Sequence, residues 1–229
     1  RLNSRLVYHS CDAYVVLSET YAKVFKEFVG LKRADKLFAI PNPLSPVKAE
    51  EVVKENVVLY VGRLSRTEKR VDRVIEVWRS LEAALPDWHL EILGDGPDRG
   101  ELEKRATDLP RISFRGFQPP DEYYSKAKIL LLTSDFEGFP MTLVEGMSAG
   151  CVPVVYGSFP AAAEIVTDEC GVVVRQPWSD DEYAKAVRSL ATNERRLEEM
   201  SSAGKDSVRR FDLDRVVENY LSVMKDRHD

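Results

Sequence analysis

The chain has 229 residues, of which 44% are hydrophobic, and it carries a formal net charge of −5. This length allows one large domain or two small ones with a sizeable core, and the negative charge argues against a nucleic-acid-binding protein. No apolar run reaches the roughly 18 residues of a membrane span.

The first part of the chain, residues 1–44, predicts a small strand–helix–strand piece. Residues 13–17 and 36–40 are short apolar runs typical of strands, and residues 18–29 have the pattern of a capped helix. A piece of this size cannot enclose a core by itself. Residues 45–56 are polar and charged, which is typical of an interdomain linker.

A larger α/β domain is predicted over residues 57–210, followed by a C-terminal helix over residues 211–229. Six short apolar runs alternate with helical patterns, which predicts a parallel six-stranded, Rossmann-like sheet with right-handed crossovers and flanking helices. The predicted strands are residues 57–61, 89–93, 111–115, 129–132, 152–156 and 171–174.

A locally basic stretch follows the first of these strands. After Gly62 it contains Arg63, Lys69 and three further arginines. Open α/β sheets bind ligands at the carboxyl ends of their strands, and both cation types bind phosphate. Taken alone, such a cluster is also explained by a solvated basic turn.

The next two strands end in glycine-containing turns. Gly94 and Gly96 form a Gly-Asp-Gly turn that could approach a phosphate, but it lacks the third glycine of the dinucleotide fingerprint. A tight strand-to-helix turn explains it better when it is taken alone. Gly116 and Phe117 follow the third strand, and a plain turn explains Gly116 equally well.

Residues 134–156 are the most informative stretch, since they predict a loop, a short helix and a buried strand. Glu137 lies in the loop and Glu145 in the helix. Free N–H groups at the helix start, around Thr142 and Leu143, favour an anion such as phosphate. A carboxylate on each side of that anion could accept hydrogen bonds from paired hydroxyls. Hydroxyls, phosphate and hydroxyls in this order describe a nucleotide-sugar.

Either glutamate taken singly is more often a solvated acid. Glu145, however, lies among apolar residues in a helix that two buried strands flank. A glycosidase pair is a weaker interpretation of Glu137 and Glu145, because hydrolysis needs two carboxylates about 5 to 9 Å apart and has no use for a phosphate pocket.

The spacing of Glu137 and Glu145, within E-G-F-P…E-G-M-S-A-G-C-V-P-V-V, resembles that of the retaining glycosyltransferases of family 4. These enzymes have the GT-B fold of two facing Rossmann-like domains. The likeness extends from about Asp12 to Val174. The segments C-D-A-Y-V-V-L-S-E and F-A-I-P-N-P resemble the end of the family's N-terminal domain, although the usual Asn-Gly is Asn-Pro here. Residues 1–44 would then be the remnant of a truncated acceptor domain.

The resemblance implies transfer of a sugar from a nucleoside diphosphate sugar to an acceptor hydroxyl, with retention of configuration and without a metal or other cofactor. It makes Arg63, Lys69 and Glu137 the catalytic candidates, with the two cations on the diphosphate and Glu137 on sugar hydroxyls. Lys69 lies one residue later than in many members. Glu145 would hold the ribose. The other implied donor-binding residues are Gly62, Gly94, Gly96, Phe117, Gly138, Phe139, Pro140, Met141, Thr142 and Leu143.

The acceptor, a saccharide or a lipid-linked saccharide, would be recognised by the missing N-terminal domain, so the chain alone would bind donor without turnover. Three widely spaced cysteines are typical of a reducing compartment, so we expect a cytoplasmic protein. A lipid-linked acceptor would bring the parent protein to the inner face of the membrane. Two alternatives stay open: a GT-B-type nucleotide-sugar epimerase, and a non-catalytic nucleotide-sugar-binding module.

Overall fold

The computed structural model of the protein describes residues 1–45 and 52–225. The strands are β1 (Tyr14–Val16), β2 (Leu37–Ala39), β3 (Glu55–Val61), β4 (His89–Leu93), β5 (Ile112–Gly116), β6 (Ala127–Leu132), β7 (Val152–Tyr156) and β8 (Val172–Val174). The α-helices are α1 (Leu2–Ser10), α2 (Glu19–Val29), α3 (Val71–Leu81), α4 (Arg99–Arg105), α5 (Asp121–Lys126), α6 (Met141–Ser148), α7 (Ala162–Ile165), α8 (Asp180–Ala191), α9 (Glu194–Val208) and α10 (Leu213–Lys225).

The chain divides into two compact units, one of Arg1–Ser45 with Arg209–Asp229 and one of Pro46–Val208. In the first unit β1 pairs with β2 in parallel, as the strand–helix–strand prediction requires. The hydroxyl of Ser18 accepts the N–H of Tyr21 at 3.1 Å and caps α2. Helix α1 is not among the predicted elements. None of the described helices is both long and apolar enough to cross a membrane.

The second unit is built on a parallel sheet of six strands in the order β5-β4-β3-β6-β7-β8. This confirms the predicted α/β fold class, and the strand ends agree with the prediction to within two residues. The predicted linker over residues 45–56 lies partly outside the described residues, and from Glu55 onward it belongs to β3. Helix α3 packs its apolar face on the sheet, with Val74, Ile75 and Trp78 all at most 1% exposed.

The direction of strand addition reverses between β3 and β6. From β3 the chain adds β4 and β5 on one side, and β6, β7 and β8 then extend the sheet on the other side. At such a reversal the loops after two neighbouring strands diverge to opposite faces, which leaves a crevice at the carboxyl edge of the sheet. The basic stretch after β3 and the loop with Glu137 after β6 both lie at this edge.

Candidate functional site

The loops that follow β3 and β6 are joined by several hydrogen bonds. The hydroxyl of Thr133 lies 3.1 Å from the carbonyl oxygens of both Lys69 and Arg70. The N–H of Asp135 donates to the carbonyl of Glu68 at 2.9 Å. These bonds fix the second loop against the first.

Four of the five cations after β3 form ion pairs within the chain, so most of the basic stretch is structural. Arg63 is different. Its side chain is exposed and makes no hydrogen bond or ion pair with any of residues 1–45 and 52–225. The pairs are Arg66 with Asp98 and Glu101, Lys69 with Glu137, Arg70 with Asp72 and Asp135, and Arg73 with Asp135.

Arg73 is a buried support for the loop after β6. Its guanidinium donates to the carbonyl of Thr133 at 3.0 Å and to the carboxylate of Asp135. The same group lies 4.4 Å from the ring centroid of Trp178 and 5.0 Å from that of Tyr156, within cation–π range. Burial opposes ionisation of Asp135, but hydrogen bonds from Arg70 and Arg73 outweigh it and lower the pKa of this carboxyl group. Asp135 therefore stays ionised and keeps the loop in place.

Glu137 and Lys69, two of the predicted catalytic residues, contact each other. The ammonium nitrogen of Lys69 lies 2.7 and 2.9 Å from the two carboxylate oxygens of Glu137, and the hydroxyl of Ser134 donates to Oε1 at 2.7 Å. Glu137 is only 8% exposed. An ion pair at this depth holds its geometry because a lone buried charge is costly. The lysine has three N–H donors, so it can bind a further acceptor while it stays paired.

A cavity of about 480 Å³ lies at the ends of β3 and β4 and the start of α6, within the usual size range of small-molecule sites. Six predicted site residues line it, and Lys69 and Glu137 do not belong to its lining. The predicted lining residues are Gly62, Arg63, Gly94, Phe117, Thr142 and Glu145, and the further ones are Val61, Leu93, Asp95, Gln118, Pro119, Pro120 and Tyr124.

Tyr124 is the residue that sequence reasoning missed most clearly. It lies on α5, is completely buried, and donates its hydroxyl to Oε2 of Glu145 at 3.2 Å. No local pattern distinguishes it from a core tyrosine, because its partner is on another helix. Burial and the nearby charge of Asp121 raise the pKa of Glu145, whereas the hydrogen bond from Tyr124 opposes that shift.

Helix α6 begins at the cavity, directly after Pro140. The N–H groups of Met141 and Thr142 have no intrahelical carbonyl to donate to. The prediction of a free N–H at Leu143 is wrong, because this group donates to the carbonyl of Pro140 at 3.1 Å. A tight first turn thus satisfies one donor and leaves the anion-binding capacity with the two residues before it.

The glycines at this edge have different roles. A Cβ on Gly94 would lie 1.9 Å from the carbonyl oxygen of Gly62, and one on Gly96 would lie 2.4 Å from that of Leu64. These two glycines therefore allow the loops after β3 and β4 to pack closely. A Cβ on Gly138 would meet nothing within 4 Å. Its lack of a side chain is not required by packing within the chain.

The remaining predicted residues divide between core and surface. Phe139, Pro140 and Leu143 are buried, so they support the site by packing and do not present side chains to a ligand. Met141 is half-buried. Phe117 is 87% exposed at the rim of the cavity, where a large flat ring is open to contact. In the described part of the chain, no group of three or more His, Cys, Asp or Glu side chains could hold a metal ion.

Comparison with known protein families identifies the family of the chain. Residues 43–207 match the family Glycosyl transferases group 1 over more than half of the chain. The chain belongs to this family. An uncharacterized glycosyltransferase of Haemophilus influenzae is 24% identical over 97% of this chain and 64% of its own length.

Two further relatives extend the comparison. The GalNAc-alpha-(1->4)-GalNAc-alpha-(1->3)-diNAcBac-PP-undecaprenol alpha-1,4-N-acetyl-D-galactosaminyltransferase of Campylobacter jejuni is 27% identical over 98% of this chain and 63% of its own length. The crystal structure of Anabaena Alr3699/HepE in complex with UDP and glucose superposes with a TM-score of 0.83 at 18% identity, over 99% of this chain and 66% of that one. The chain thus spans about two thirds of each relative's length, and its fold matches that of GT-B glycosyltransferases.

Proposed function

We propose that this protein is a retaining glycosyltransferase of family 4, and that the cavity lined by the loops after β3, β4 and β5 and by helix α6 binds a nucleoside diphosphate sugar. The observation that carries the proposal is the convergence of three groups on one cavity. These are the guanidinium of Arg63, which has no partner among residues 1–45 and 52–225, the start of helix α6 and the carboxylate of Glu145. A guanidinium and a helix N-terminus suit a diphosphate, and a carboxylate suits the two hydroxyls of a ribose.

Charge on the departing diphosphate is the quantity that this site would stabilise. The N–H groups of Met141 and Thr142 belong to the helix backbone, so they are in place before the substrate arrives and would act without reorganisation in the transition state. The exposed side chain of Arg63 would bind the diphosphate as the substrate enters. Lys69 would add its remaining N–H donor, and together these groups would take the place of a metal ion.

The transferred sugar would lie toward the loop after β6. Glu137 is held there by Lys69 and Ser134, and Gly138 leaves open space next to it. The carboxylate would accept hydrogen bonds from sugar hydroxyls, and the ammonium of Lys69 holds it in position. The proposed retention of configuration rests on the family resemblance.

An acceptor saccharide or lipid-linked saccharide is supported by the name of the Campylobacter relative, which specifies an undecaprenol-linked substrate. Acceptor recognition would use parts of the protein other than this cavity. A lipid-linked acceptor would bring the protein to a membrane surface as a peripheral enzyme of the cytoplasm.

Calorimetric titration of the 229-residue chain with UDP, GDP and ADP tests donor binding directly. We expect one of the three to bind more tightly than inorganic diphosphate. The absence of binding to all three would refute the proposal and leave a non-catalytic domain of this fold. Transfer is tested by incubating the protein with a panel of nucleotide-sugars and saccharide acceptors, and the anomeric configuration of the product is determined by NMR. An epimerised donor in place of a transferred sugar would identify a GT-B-type epimerase.

A further inference from the structure

Tyr124 on α5 lines the cavity together with Glu145 on α6. The residue is 0% exposed to solvent, and its hydroxyl lies 3.2 Å from Oε2 of Glu145. Burial raises the pKa of this tyrosine, so the hydroxyl stays protonated and acts as a donor. A neutral hydrogen-bond donor, the Tyr124 hydroxyl, thus faces the Glu145 carboxylate at the edge of the candidate site.

The backbone and the ring of Tyr124 are both held in place. Its N–H donates to the carbonyl of Pro120 at 2.9 Å. Its own carbonyl lies 2.9 Å from the ammonium of Lys54 and 3.1 Å from the thiol of Cys151. The ring packs against α6 where Gly146 leaves space, since a Cβ at that position would lie 3.5 Å from two ring carbons. The direction of the hydroxyl is therefore set by packing.

We propose that Tyr124 is a positioning residue for Glu145, which holds the carboxylate in the orientation that binds the paired hydroxyls of the donor's ribose. The inference rests on the proposed function of the cavity. According to this inference, Tyr124, a residue of the protein core, contributes measurably to nucleotide affinity. It also explains why Glu145, which is only half-buried and has no cation as partner among the described ion pairs, would keep one orientation.

The charges around Glu145 influence its pKa, so the effect of the Tyr124 hydroxyl can be measured as a change in that pKa. Asp121 faces Glu145 from α5, and Arg63 and Asp95 line the same cavity from the loops after β3 and β4. Burial and Asp121 raise the pKa of Glu145, and the Tyr124 hydroxyl opposes them. Removing only the hydroxyl should therefore raise the pKa of Glu145 further while the ring still fills its space.

The test uses Tyr124→Phe, with Tyr183→Phe as the matched control. Tyr183 is also completely buried, but its hydroxyl contacts the backbone of Leu132 and Val154 and does not reach the cavity. Each variant is titrated with UDP, GDP, ADP and inorganic diphosphate. We expect Tyr124→Phe to weaken nucleoside diphosphate binding about tenfold and to leave inorganic diphosphate unchanged. Tyr183→Phe should leave both affinities unchanged.

Two further measurements separate positioning from a purely structural role. In a Glu145→Gln background, Tyr124→Phe should reduce affinity less than twofold, because the residue acts through the carboxylate. Carbon-13 NMR of the Glu145 carboxyl group, recorded without ligand, should show a higher pKa in Tyr124→Phe than in the wild type. If this variant does not fold, 3-fluorotyrosine at position 124 keeps the hydroxyl, makes it a stronger donor and should lower that pKa instead.

Unchanged nucleoside diphosphate affinity in Tyr124→Phe, or a Glu145 pKa that does not move, would overturn the inference and leave the proposed function standing. A wild-type chain that binds none of the three nucleotides would overturn the proposed function, and the role of Tyr124 with it. In that case the NMR titration would still report whether the hydroxyl contacts the carboxylate.

Discussion

The ammonium group of Lys69 and the carboxylate of Glu137 form a salt bridge at 2.7 Å between two loops that follow neighbouring strands of the sheet. Because the two residues lie on different loops, the salt bridge fixes the position of the loop after β6 relative to the loop after β3. A substrate that binds there would meet a hydrogen-bond acceptor, Glu137, and a hydrogen-bond donor, Lys69, and the position of each depends on the other.

Removing one partner of this pair should destabilise the fold. Lys69→Met removes the ammonium group that contacts both carboxylate oxygens of the buried Glu137, so we expect the free energy of unfolding to fall by about 2 kcal/mol or more. Glu137→Gln removes the buried charge and should cost less. The double variant should recover part of the loss. Urea denaturation measures all three, and a Lys69→Met variant as stable as the wild type would contradict the importance of the pair.

Arg63 and Arg66 offer a matched pair of substitutions three residues apart. Arg63→Ala removes a cation that has no partner in the described chain, so stability should be unchanged and diphosphate affinity should fall by about 1.5–3 kcal/mol, as for a hydrogen bond to a charged group. Arg66→Ala removes the ion pairs with Asp98 and Glu101 and should leave affinity unchanged. Calorimetry with UDP and inorganic diphosphate distinguishes the two. Equal effects of both variants would mean that the basic stretch acts only through its total charge.

The two glutamates should affect different parts of the donor. Glu137→Gln should reduce the affinity that the sugar adds to the nucleotide, because Glu137 is assigned to sugar hydroxyls. Glu145→Gln should reduce the affinity that the nucleoside adds to diphosphate. Titrations with UDP-sugars, UDP and inorganic diphosphate resolve these increments. A variant that loses both increments equally would count against the assigned positions.

Gly138 and Gly94 test whether a glycine serves the ligand or the fold. Gly138→Ala adds a methyl group that meets no atom of the chain within 4 Å, so the melting temperature should stay within about 2 °C of the wild type while donor-sugar affinity falls. Gly94→Ala places the methyl group against the Gly62 carbonyl and requires a φ of +136°, so it should destabilise the fold. Calorimetric melting and donor titration together separate these cases. Full sugar affinity in Gly138→Ala would remove that position from the site.

Nucleotide affinity should decrease on acidification, and the decrease should begin at a higher pH than it would if Glu145 had the pKa of an ordinary glutamate. Burial raises the pKa of Glu145, and only the carboxylate accepts hydrogen bonds from both ribose hydroxyls. Affinity should therefore fall as the pH drops through this raised pKa, above the pH at which an unshifted glutamate is protonated, and Glu145→Gln should abolish that step. A raised pKa in the folded state means that protonation of Glu145 itself favours folding. Loss of affinity in this range should consequently precede any unfolding, which circular dichroism at the same pH values checks.

The fold was predictable because its elements are encoded locally. Each sheet strand is a continuous apolar run, as expected for strands buried on both faces, and each is separated from the next by a helical pattern or a turn. The strand order was not predicted, because it depends on pairing between segments far apart in the chain, such as β3 with β6.

The candidate site was predictable only in part, for the same reason. Arg63, Thr142 and Glu145 line one cavity, as the position of Arg63 after a strand and of the other two on one short helix indicates. The pairing of Lys69 with Glu137 spans 68 residues, and the contact of Tyr124 with Glu145 joins two separate helices. Neither contact leaves a periodic trace in the sequence. The assignment of all these residues to a donor stays a prediction.

The ion pairs of Arg66, Lys69, Arg70 and Arg73 also determine how a substrate reaches the protein. Each of these four positive charges has an acidic side chain within 4 Å, so the four together add little to the field beyond one Debye length, and Arg63 is left to attract an anion. Capture of an anion should then proceed with little long-range steering, and its rate constant should change little between dilute and physiological salt. Selection among the many phosphorylated metabolites of a cell would be decided by fit at close range, after the encounter.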